Sequence, residues 1–150
     1  MQQGGISSQD GSAPNRFFAN VPANPGKLDA VAIDLAVKPD VPNLMRYTKE
    51  IKGITVADET LLIVMKIKSS TLRRLNQTQK LWGDLDDVLF CTLTAAQTGM
   101  KVPPELLETL DEDTMKGFWR HVHAERTRDY TTFQSFLQEI GVDIKESYLI

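Results

Sequence analysis

Two stretches of this chain obey different rules, and the contrast between them limits the folds open to it. The first 27 residues, MQQGGISSQDGSAPNRFFANVPANPGK, are mostly Gly, Ser, Gln, Asn and Pro, with no apolar repeat of period 2 or 3.6. Such a segment cannot offset its ordering entropy by burying apolar surface. Residues 1–27 therefore read as an extended N-terminal arm. Its one apolar knot, Phe17 with Phe18, asks for cover from the chain's own domain or from a neighbouring subunit. From Leu28 onward the residues are patterned, capped and punctuated, so 28–150 read as a single, mostly helical domain with an apolar tail.

Within that domain Val31, Ile33, Leu35 and Val37 alternate with Ala32, Asp34 and Ala36, the period of a half-buried strand ended by Lys38-Pro39. Pro42 then opens a short helix through Ile51, with Gly53 closing it. Residues 54–68 carry two patterns. Thr55-x-x-Asp58 with Glu59 resembles a helix start, while Leu61, Ile63, Met65 and Ile67 alternate like a strand. The reading adopted is a helix from about Val56 with a break near Ser69-Ser70; a hairpin of 53–56 with 60–68 is the alternative. A helix from Thr71 to Trp82 stops at Gly83, and Asp84 caps another through Leu93 to Gly99. Because Leu85, Val88, Leu89, Phe90 and Leu93 cover more than half its circumference, this is expected to be the most buried element. Pro103-Pro104-Glu105 begins a short helix, Asp111 a longer one lined by Met115, Phe118, Trp119 and Val122, and Thr131-x-x-Gln134 forms a capping box for a last helix ended by Gly141. The fold class is mainly α, a compact multi-helix domain with one strand or small β-element near residues 30–37. An α+β domain with a hairpin at 53–68 is the alternative.

Composition narrows the classes of function. With 41% hydrophobic and 25% charged residues the chain resembles globular proteins. Its longest apolar run, Leu61 to Met65, is far below the 18 or more residues of a membrane span, so no membrane is expected. The N-terminus shows neither a secretory signal nor a transit peptide, and one cysteine fits a reducing compartment; the expected location is the cytoplasm, or a virion if the chain is viral. Cys91 lies in an apolar run and reads as a small buried thiol. The Asn76-Gln77-Thr78 sequon reads as chance.

The charge is unevenly divided. Residues 1–75 hold 10 basic and 7 acidic side chains, residues 76–150 hold 7 and 13. The sharpest contrast lies between Lys66, Lys68, Arg73, Arg74 and Lys80, with no acid from 60 to 83, and the acidic stretch from Asp84 to Asp113. Opposite charges on one small domain suit head-to-tail association or docking on a charged partner. The basic segment 66–80 is the best candidate binding surface, and Arg73 and Arg74 read as surface residues within it. No aromatic residues interleave these cations and the pI is about 5.4, so nucleic acid is not the favoured partner.

His121 and His123 stand two apart, on opposite sides of a helix, and cannot share one ion. Asp84/Asp86 and Asp111/Asp113 are each explained by a helix start. Phosphate-cradling, zinc and dithiol motifs are absent from the sequence, and no cofactor, metal or catalytic residue is expected. The terminal Tyr148, Leu149 and Ile150 are apolar enough to require cover, on the chain's own core or on a partner. The residues thus point to a non-enzymatic assembly protein, a homo-oligomer or part of a larger complex such as a viral or phage particle. Its expected contacts are Phe17, Phe18, Lys66, Lys68, Arg73, Arg74, Lys80, Tyr148, Leu149 and Ile150. A small regulatory or nucleic-acid-binding adaptor using 66–80 is the alternative.

Overall fold

The computed structural model describes residues 43–149 in full, together with the backbone of three strands nearer the N-terminus. The chain divides into two units, Met1–Pro39 and Asp40–Ile150. In the first, β1 (Ile6–Ser8), β2 (Arg16–Asn24) and β3 (Lys27–Asp34) form an antiparallel sheet in that order. The strand expected at 31–37 overlaps β3, which begins four residues earlier and ends at Asp34, and it has a partner, β2, inside the segment read as an arm. Phe17 pairs with Ile33 and Phe18 with Ala32 in this register. The side chains of Phe17 and Phe18 lie outside the described residues, as do the helix start at Asp40-Val41-Pro42 and Ile150.

The second unit begins with a short 3-10 turn, Leu44–Tyr47, and a hairpin of β4 (Thr48–Ile51) with β5 (Ile54–Ala57). This replaces the helix expected up to Ile51. The reason lies at Lys52 and Gly53, whose φ angles of 50° and 79° make the two-residue left-handed turn that matches strand twist. Gly53 thus turns a hairpin and ends no helix. The alternative pairing of 53–56 with 60–68 is not formed, because Asp58 starts a helix there: its carboxylate accepts the Leu61 backbone N–H at 2.9 Å.

Five helices follow: α1 (Glu59–Thr71), α2 (Thr78–Gln97), α3 (Pro104–Leu107), α4 (Glu112–Glu125) and α5 (Tyr130–Glu139). The fold is mainly α, as the apolar periodicity requires. α1 packs against both α2 and α4, and its Ile63, Val64 and Ile67 are fully buried. Around them stand Leu85 and Val88 of α2, Phe118, Trp119 and Val122 of α4, and Phe133 and Leu137 of α5. The aromatic members meet edge to face, Phe118 with Trp119 at 5.4 Å and with Phe133 at 6.2 Å, the arrangement favoured by ring quadrupoles.

α2 and α5 end alike. Gly99 and Gly141 take φ of 69° and 93°, and the amides of Met100 and Val142 reach back to the carbonyls of Ala95 and Leu137 at 2.9 Å. These are the paired bonds of a left-handed glycine cap. The two ends are then stitched together by the Val102 amide, which donates to the Ile140 carbonyl at 2.8 Å. Asp111 caps α4 as expected, accepting the Thr114 amide at 2.7 Å. The box at Thr131 is not formed, since α5 continues directly from a 3-10 turn at Thr127–Asp129 and begins at Tyr130. No helix among the described residues is long and apolar enough to cross a membrane.

Candidate functional site

The helix expected to stop at Gly83 runs through it, so the two helices read on either side are one, α2. This changes the role of every residue nearby. Asp84 is not a cap but a mid-helix carboxylate only 2% exposed. Arg73, in the loop between α1 and α2, grips it with two bonds, Nε to Oδ2 at 2.6 Å and Nη2 to Oδ1 at 3.1 Å. Lys66 of α1 lies 3.4 Å from Asp84 and 2.8 Å from Asp87. Burial alone would lower the Lys66 pKa, but Asp87 and Asp84 outweigh it and raise it; the bond to Asp84 likewise raises that of Arg73.

The steepest charge contrast along the chain is therefore an internal contact, α1 and its loop against α2. Of the residues read as a binding surface, Lys66 and Arg73 are thus engaged within the chain, by Asp84 and Asp87. Lys68 lies beside a shallow cleft with Thr71, Leu72 and Thr109. Arg74 and Lys80 are exposed. The loop separates Lys66 from Lys80, so no continuous helical side presents them together.

The C-terminal residues also fold inward. Tyr148 is 8% exposed, in a 3-10 turn packed on α4, and Leu149 lies against the same core. Lys145 stands over the Tyr148 ring at 5.7 Å. Tyr148 is thus covered within the chain and Leu149 half-covered, the first of the two expectations for this tail.

What the domain leaves uncovered is elsewhere. Leu72 and Leu75, in the α1–α2 loop, are 80% and 101% exposed, and on α2 Trp82 and Phe90 are 42% and 71% exposed. Phe90 was expected in the most buried element; α2 instead buries one side, with Leu81, Leu85, Val88 and Ala95, and turns Phe90 to the other. Eight positions of a helix rotate about 80°, so Trp82 and Phe90 share the outward face, with Asp86 between them. Met45, Ile51 and Ile54 form a second exposed set on the hairpin.

The outward face of α2 is held in shape. The Trp82 indole N–H donates to Glu125 at 2.7 Å, and Asp86 accepts from Arg126 at 2.7 Å, both partners coming from the end of α4. Gly83 lies on the same face, seven residues before Phe90, and a β-carbon there would meet nothing within 4 Å. A glycine in the interior of a helix costs about 1 kcal/mol relative to alanine. No contact within the described chain explains that cost at Gly83.

The remaining candidates carry no constellation. Cys91 is buried, and desolvation raises its pKa, the opposite of an activated thiol. Burial lowers the pKa of His121, while His123 meets the edge of Tyr130 at 5.7 Å. Among the described residues no group of three or more His, Cys, Asp or Glu is placed to hold a metal ion. Compared with models of protein families, with curated proteins and with solved structures, the chain matches none.

Sequence reasoning passed over Leu72, Leu75 and Trp82 and misplaced Phe90. The signal was present, however. Once 78–97 is taken as one helix, Leu81, Leu85, Val88 and Ala95 define a complete core stripe, and Trp82 and Phe90 fall outside it.

Proposed function

We propose that this chain is a non-enzymatic assembly subunit, which self-associates or docks on a larger complex through apolar surface. A viral or phage particle component is the most concrete form of this reading. The observation that supports it is the group Leu72, Leu75, Trp82 and Phe90, left open on a domain that covers its other large aromatics. Exposed leucines and aromatics are a solubility liability for a lone monomer, and tryptophan is characteristic of interface centres. The basic segment is a weaker support for nucleic-acid binding, because two of its five cations, Lys66 and Arg73, are engaged with Asp84 and Asp87.

Light scattering at several protein and salt concentrations tests the reading. The expected result is mass above the 16.8 kDa of one chain, rising with concentration. It should survive salt that shortens the Debye length to about 8 Å, since apolar contact is not screened. A chain that stays monomeric, and instead binds an oligonucleotide with affinity falling steeply in salt, would favour the adaptor reading.

A further inference from the structure

We infer that residues 72–82, the α1–α2 loop with the first turn of α2, form a strap that opens as one unit about Gly83 while the rest of the core stays folded, with the Arg73–Asp84 pair as its latch. The inference does not depend on the assembly reading, although the strap carries Leu72 and Leu75. Along residues 72–83 only Leu81 is buried, whereas immediately beyond them Asp84, Leu85 and Val88 all are. The start of α2 is weakly held as well. Its N-cap, Gln77, makes no side-chain bond to the first turn; the Gln77 amide oxygen instead accepts the Arg74 N–H at 3.0 Å, within the strap itself. Gly83 then stands at the seam between the exposed turn and the buried stripe. A residue that weakens a helix, placed where burial begins, marks the point at which the exposed turn can part from the rest.

Two ties hold the strap shut. Arg73, near its beginning, bonds Asp84, which is 11 residues on and just past the hinge, so the strap is closed into a loop by its own latch. Near its end the Trp82 indole bonds Glu125 of α4 at 2.7 Å. The pairing of two cations with Asp84 divides their duties. Lys66 belongs to α1 and lies 3.4 Å from the same carboxylate, so it keeps a positive charge beside Asp84 when Arg73 leaves. Opening therefore does not strand a buried charge, the usual obstacle to breaking such a pair. Hinges of this kind take up their motion at a few positions near the end of an element, as Gly83 does here.

Amide hydrogen exchange of the full chain, followed by NMR at low denaturant, tests the strap. The amides of Leu81 and Trp82 are expected to exchange at least about tenfold faster than those of Val88 and Thr92, with one denaturant dependence shared between the two. Arg73→Gln is expected to speed both by about tenfold, although Arg73 touches neither, because the latch is lost on opening. Arg73→Lys, which keeps the charge, should speed them less. Gly83→Ala should slow them by about threefold, as alanine favours the closed helix. If Leu81 and Trp82 exchange no faster than Val88 and Thr92, the strap opens only with the whole core and the inference is overturned. It is equally overturned if their exchange is fast but unmoved by Arg73→Gln and Gly83→Ala, for that is ordinary fraying of a helix end.

Discussion

Asp84 shows how one residue can hold two helices and the loop between them. Its carboxylate is buried and, among the described residues, accepts from cations of α1 and the following loop. Removing one member of such a pair leaves the other's charge without compensation. Asp84→Ala should therefore cost about 3 kcal/mol in chemical denaturation, the lower end of the usual range because Arg73 retains some solvent. Arg73→Glu should be similarly harmful, whereas Arg74→Glu, one residue on and exposed, should change stability by less than about 0.5 kcal/mol. Neighbouring arginines that look alike in the sequence thus have different duties. His121 supplies a pH response: desolvation, partly opposed by Glu125 and reinforced by Arg120, lowers its pKa below the ordinary 6.5. Folding then favours the neutral ring. Its contribution is complete above pH 6.5 and is lost as pH falls through the folded value. Thermal midpoints should drop on acidification from pH 7.5 to about 5.5, and His121→Gln should flatten that drop.

At the scale of elements, two helical glycines invite opposite outcomes. Gly83→Ala should stabilise the monomer by about 0.5–1 kcal/mol, because a methyl there meets nothing. Gly117 of α4 is different: a β-carbon would come within 3.2 Å of Thr71 Cγ2 at the end of α1, so Gly117→Ala should be the less stable of the two variants in thermal melts. The pair also explains what was legible in the sequence. The caps at Asp111, Gly99 and Gly141 could be read directly, since each uses chemistry contained in a few adjacent residues. Gly83 could not, because a glycine looks the same whether it ends a helix or spares room beside one. Asp84 was misread for the same reason: its partner Arg73 is 11 residues away, across a break that no local pattern reveals. The exposed face of α2 followed from that error. Dividing the helix at Gly83 removed the long stripe against which Trp82 and Phe90 stand out.

Seen whole, the chain consists of a stranded unit up to Pro39 and a helical unit from Asp40 with its own continuous core. Deleting residues 1–39 should leave cooperative unfolding of the helical unit, followed by circular dichroism at 222 nm, within a few degrees of the full chain. The Val102–Ile140 bond has a further consequence for how this unit opens. Val102 belongs to no helix or strand, yet its amide is locked to a carbonyl 38 residues away and its side chain is 4% exposed. Releasing that proton to solvent requires the ends of α2 and α5 to part. In a deuterium-exchange experiment, the loop amide of Val102 should persist as long as the amides at the centres of the helices, so one resonance would report the free energy of opening the entire core.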